Sequence, residues 1–144
     1  MARRLILIAV VAACSRDQPA NPDPAATVAP LASKPFFYRI DRGPQAPCAS
    51  GATCEARVVL TALGNYHVNQ DYPFKFVAAP AGAVPIEGPG SFALDGEKQG
   101  TMTIKFRPPA AGTATLVGTL KLSVCSEATC EIEAATVELA IPVT

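Results

Sequence analysis

The sequence predicts an all-β domain, an antiparallel sandwich of about seven short strands standing behind a leader and a tether. Three observations carry that expectation. From residue 55 onward apolar side chains alternate with polar ones instead of recurring every third or fourth place. Turn-forming clusters punctuate the runs: LGNYH, AAPAGA, EGPGS, LDGEKQG and RPPAAG. No stretch beyond the leader holds a 3.6-residue apolar pattern.

The chain opens MARRLILIAVVAACSR. Arg3 and Arg4 precede a short apolar run, Leu5–Ala13, too brief to span a bilayer, which takes about 20 residues. Val11-Ala12-Ala13-Cys14 resembles the lipobox of bacterial lipoproteins, in which the cysteine thiol takes a diacylglyceryl group before cleavage. The resemblance implies a signal peptide over 1–13, lipidation of Cys14, and a membrane partner reached through that lipid. Serine rather than aspartate at position 15 points to the outer membrane, with the protein facing the periplasm.

Residues 14–34 then read as the lipidated cysteine and its tether. Ser15–Lys34 holds four prolines among Ala, Asp, Asn and Ser, too little apolar surface to order a core. Prolines favour an extended spacer, with a reach of about 60 Å here. The folded domain is expected over 35–144, long enough to bury one core. Without residues 1–13 the chain keeps ten basic against twelve acidic residues, a net charge of −2. Nucleic acid is therefore not an expected partner, because phosphate binding needs a clustered excess of Lys and Arg.

Within the domain, Ala56, Val58, Leu60 and Ala62 share one face of EARVVLTA. Met102, Ile104 and Phe106 do the same in TMTIKFR. Leu116, Leu120, Leu122 and Val124 line one side of the next run, and Val137, Leu139, Ile141 and Val143 one side of the last. A period of two turns one face to a core and the other to water. Phe36, Phe37, Tyr38, Phe74 and Phe76 read as core or sheet-face aromatics. An antibody-type core needs a Cys…Trp…Cys set, and this chain has no tryptophan. The sandwich is thus expected to be immunoglobulin-like in outline, with a small barrel as the competing architecture.

Beyond Cys14 there remain Cys48, Cys54, Cys125 and Cys130. An exported compartment favours disulfides, and four cysteines allow three connectivities. The simplest is two local bridges, Cys48–Cys54 and Cys125–Cys130, the second across the end of a hairpin. A bridge closing about six residues stabilises by roughly 2 kcal/mol, against roughly 4.5 for one spanning about 78. Local rings suit either fixing a loop or presenting a disulfide at an accessible edge. Zinc sites place two to four residues between paired cysteines; these gaps are five and four, in a compartment that oxidises thiols, so no metal is expected. Glu127, Glu131 and Glu133 follow the hairpin, and carboxylates around it would raise the thiol pKa values. His67 is the one histidine and reads as a turn residue bonded locally.

Two stretches resemble the N-terminal periplasmic domain of the thiol:disulfide interchange protein DsbD. GNYHVNQDYPFKF at 64–76 is similar to that family's Gly-aromatic-His-Val-Asn segment, and KLSVCSEATCEIEAATVELAIPV at 121–143 to its cysteine-pair hairpin and final strand. The resemblance covers roughly residues 50–144 and implies an immunoglobulin-like fold. It implies further that Cys125 and Cys130 are a redox pair exchanging with a thioredoxin-like partner. Here the pair is one residue closer, Glu131-Ile132 follows it, and Cys48 and Cys54 have no counterpart.

Two functions are therefore expected of such a chain. One is a disulfide-stapled envelope domain that binds a periplasmic partner or plays a structural role. The other is a thiol–disulfide exchange module working through Cys125 and Cys130, the only catalytic residues in view. No Gly-rich phosphate loop, nucleophile elbow or paired catalytic carboxylates appear, so no cofactor is expected.

Overall fold

A computed structural model describes residues 37–80 and 84–144, all within one compact unit, Lys34–Thr144. The leader, Cys14, the tether and Phe36 lie outside the described residues. Eight strands form: β1 (Tyr38–Asp41), β2 (Cys54–Ala62), β3 (His67–Val68), β4 (Lys75–Ala78), β5 (Ser91–Leu94), β6 (Gln99–Phe106), β7 (Gly112–Cys125) and β8 (Cys130–Val143). Every ladder between them is antiparallel. One sheet runs β1-β2-β6-β5. In the other, β8 pairs β7 along its whole length, and β3 and β4 lie end to end on the opposite side of β7.

Counting β3 and β4 as one interrupted strand leaves seven. The order is then that of the immunoglobulin constant-type sandwich, four strands against three. The core is where the period-two reading puts it. All four residues of the β2 set are buried, as are Met102, Ile104 and Phe106, the four residues of β7, and the alternate positions from Val137 to Val143. Phe76 is buried; Phe37, Tyr38 and Phe74 are half-buried and pack against the core. At one open side the Phe74 and Phe92 rings stack, centroids 3.9 Å apart, joining the chain before β4 to β5 of the other sheet.

The segment between β1 and β2 does more than turn. Asp41 Oδ1 accepts the Gly43 N–H at 2.9 Å, and Gly43, with φ +42°, directs the chain out of the first sheet. Cys48 then pairs in parallel with Val143: its N–H donates to Pro142 O at 3.0 Å, and its carbonyl accepts from Thr144 N at 2.8 Å. After one more turn Cys54 opens β2 back in the first sheet. The Cys48–Cys54 disulfide, six residues apart in sequence and 5.9 Å between Cα atoms, therefore ties the edge of one sheet to the start of the other. It closes the loop ahead of β2 and, in doing so, clips the two sheets together.

Candidate disulfide site

At the opposite end of the sandwich, β7 and β8 meet at Cys125 and Cys130, which are directly opposed in register and bonded to each other. Their Cα atoms are 3.9 Å apart. The loop is short because Ser126 organises it. Its N–H donates to Thr129 O at 2.7 Å, and its hydroxyl accepts the N–H groups of Ala128 and Thr129 at 3.3 and 3.2 Å. Such a serine turn holds the hairpin end without strain at any non-glycine residue.

The two sulfurs sit in unlike surroundings. Cys125 is 6% exposed, whereas Cys130 is open to solvent. His67 stands on the other side of Cys125, in register with it across the β3–β7 ladder. Opposed residues of a ladder point to the same face, so His67, Cys125 and Cys130 form one row across three strands. His67 is thus a strand residue, and its ring is exposed.

One step along the same face, Ser123 is fully buried and its hydroxyl accepts from Asn69 Nδ2 at 3.2 Å. The Asn69 N–H donates to Ser123 O at 3.1 Å. This pair locks the short β3 onto β7 beneath the disulfide. Asn69 is the asparagine of the Gly-aromatic-His-Val-Asn segment, whereas alternation alone did not mark Ser123. His67 and Asn69 share one face of β3 and its continuation, as Ser123 and Cys125 share one face of β7.

The carboxylates are placed differently from the crowd expected around the pair. Glu131 and Glu133 oppose Val124 and Leu122, both fully buried, and so lie on the core-side face of β8. The pleat turns them away from Cys130, leaving Glu127 at the tip. Glu133 instead reaches the field of Tyr38 on β1. Burial raises the Tyr38 phenol above its ordinary 10.0, and the Glu133 charge raises it further. The folded state therefore keeps this proton at a pH where the unfolded chain releases it. Stability is lost as pH rises from about 10 through the folded value. Glu133→Gln is expected to bring the Tyr38 titration down toward 10, read from phenolate absorbance with Tyr38→Phe assigning the component.

Below the row, Lys98 closes the same end of the domain. Its ammonium donates to Gly64 O at 2.8 Å and to Tyr66 O. Gly64, with φ +60°, takes the second position of the Leu63–Tyr66 turn that delivers the chain into β3. Among the described residues no group of three or more His, Cys, Asp or Glu could hold a metal ion.

The chain is thus an immunoglobulin-like antiparallel sandwich with two disulfides, one clipping its sheets together and one displayed at a hairpin tip. No protein-family model and no curated protein matches the sequence. Among solved structures it is similar to the ASH/PapD-like domain of human CEP192 (PapD-like domain 7), at 13% identity and a TM-score of 0.40 over 83% of this chain and 93% of that one. It is also similar to AggA, the major subunit of aggregative adherence fimbriae type I from Escherichia coli, at 12% identity and a TM-score of 0.36 over 74% and 94%. The fold rests on the strand order.

Proposed function

We propose that the protein is a thiol–disulfide exchange module of the bacterial envelope, anchored by lipid on Cys14 and working through Cys125–Cys130 with a thioredoxin-like dithiol partner. The observation that carries this reading is the unequal exposure of the two bonded cysteines, Cys125 buried and Cys130 exposed. A partner thiolate accordingly approaches Cys130 from solvent. Its attack forms a partner–Cys130 disulfide and breaks the Cys125–Cys130 bond, and Cys125 leaves with the electron pair as a thiolate. That thiolate takes a proton from water. The partner's second thiolate then attacks the mixed disulfide and expels Cys130. Two electrons have passed: the partner dithiol is oxidised and the hairpin pair reduced. The reverse sequence runs electrons the other way.

Two further features support the reading. The β7–β8 ladder is already complete on the core side of the bond. A disulfide closing so short a ring adds only about 2 kcal/mol to it. The resemblance to the DsbD N-terminal domain assigns the same two cysteines. The alternative is a stapled domain that docks an envelope partner without exchange. The Cys48–Cys54 clip favours that role for its own end of the molecule, since it holds two sheets together.

Equilibration of the full chain in dithiothreitol buffers, followed by alkylation and mass spectrometry, tests the proposal. The Cys125–Cys130 bond is expected to be half-reduced between about −120 and −270 mV, the range of exchange proteins, with Cys48–Cys54 still oxidised below about −300 mV. If both bonds persist below about −300 mV, the tip is a staple.

A further inference from the structure

The end of the sandwich opposite the hairpin tip leaves part of a sheet edge uncovered, independently of any redox role of the tip. Strand β1 covers β2 only from Val59 to Ala62, and the chain then departs toward the other sheet. Cys54–Val58, five residues and about 17 Å of strand, keep β6 on one side and have no strand on the other. Alternate residues of a strand bond to opposite neighbours, so Glu55 and Arg57 aim their backbone N–H and C=O groups at this open side.

What occupies the Arg57 position is a side chain. Gln45 Oε1 accepts the Arg57 N–H at 2.9 Å, and Gln45 Nε2 donates to Arg57 O at 3.0 Å. Nε2 also contacts the Arg42 and Gly43 carbonyls. A carboxamide carries the donor and acceptor of a backbone peptide group. By serving both groups of a single residue it reproduces the pattern an antiparallel strand would offer there. Cavities lie on both sides of it. One of about 600 Å³ runs past Pro47, Thr53 and Glu55, and one of about 210 Å³ runs past Asp41 and Val59. Gln45 thus stands across the middle of a groove along an uncovered sheet edge.

We propose that this groove binds an extended peptide segment of another protein by antiparallel strand addition to Glu55–Arg57, with Gln45 as the resident stand-in that the peptide displaces. Charge sets the sequence it takes. Glu55 and Arg57 lie on the outer face, paired at 3.5 Å and both exposed. Cross-strand neighbours of opposite charge are favoured and like charges disfavoured. An antiparallel ligand therefore presents an acidic residue to Arg57 and, two residues later, a basic residue to Glu55.

The test uses a capped pentapeptide, Thr-Glu-Val-Lys-Thr, and its charge-swapped partner, Thr-Lys-Val-Glu-Thr, titrated into the ¹⁵N-labelled full chain. The expected result is movement of the Glu55 and Arg57 amides and of the Gln45 side-chain NH₂, with the swapped peptide at least fivefold weaker. Gln45→Ala should tighten binding about tenfold, because the competitor is gone. Glu55→Pro should abolish it, since that N–H serves only the open edge and the β6 ladder is untouched. Peptide shifts that fall elsewhere, such as the β8 edge, or equal affinity for the two peptides, overturn the proposal. Unchanged affinity in a folded Gln45→Ala overturns the displacement. Should Gln45→Ala lose its fold, the wild-type shifts and the charge swap decide.

Discussion

Gly118→Ala is expected to cost about 3 kcal/mol or more, enough to leave the domain partly unfolded at 37 °C, although it adds a single methyl group. Gly118 lies mid-way along β7, where glycine is ordinarily a liability for lack of a side chain to pack. Here the missing side chain is the point. A Cβ at 118 would sit 2.4 Å from Phe76 Cζ and 2.5 Å from the Val77 carbonyl oxygen. The ring could swing aside only by leaving the core, where Phe76 is among the largest fully buried side chains. The carbonyl belongs to β4, in ladder contact with β7, and cannot retreat without opening that ladder.

A double-mutant cycle separates these two obstacles. In Phe76→Leu the ring clash is gone, so the alanine should then cost less by about 1–2 kcal/mol, with a remainder owed to the carbonyl. Urea denaturation of the four proteins measures both terms. Additive costs would mean that the ring and the missing Cβ do not share the space the structure gives them. The corresponding Gly100 position, under Phe92 on the other sheet, should behave alike but more mildly, because Phe92 is only partly buried at an edge strand.

Much of this fold could be read from alternation alone, since β2, β6 and the second half of β8 alternate buried positions with exposed or half-buried ones. Val58, Leu60, Met102, Ile104, Leu120 and Leu122 announce their sheets by spacing. The interrupted strand was harder. His67-Val68 sits between a turn and a six-residue excursion, and two residues are too few to show a period. The clip was invisible for another reason: the five residues between Cys48 and Cys54 state a ring size and say nothing about which sheet each cysteine joins. The placement of Glu131 and Glu133 was legible and is the instructive case. Successive strand residues face opposite ways, so a glutamate next to Cys130 cannot share its face. Counting charges along the chain hid what the pleat makes plain.

The tip leads to the second large effect, a rate difference between its two cysteines when each is left alone. In Cys125→Ala the remaining Cys130 thiol is open to solvent; in Cys130→Ala the remaining Cys125 thiol keeps its place on β7, 6% exposed in the native domain. Both variants lose the same ring, at about 2 kcal/mol, and should stay folded by circular dichroism. Their thiols should nonetheless react with iodoacetamide at rates about a hundredfold apart, Cys130 the faster. Cys125 must wait for the hairpin end to open, and openings at the margin of a core cost about 3 kcal/mol. The same asymmetry decides covalent capture. A thioredoxin-like partner lacking its own resolving cysteine, its remaining sulfur carried as a mixed disulfide with thionitrobenzoate, should be captured by the Cys130 thiol of Cys125→Ala with release of thionitrobenzoate, and not by Cys130→Ala. Burial slows Cys125 by blocking the line of attack. Preferential capture on Cys125 would move the point of attack to the other sulfur, and either that or equal alkylation rates would remove the observation on which the proposed function stands.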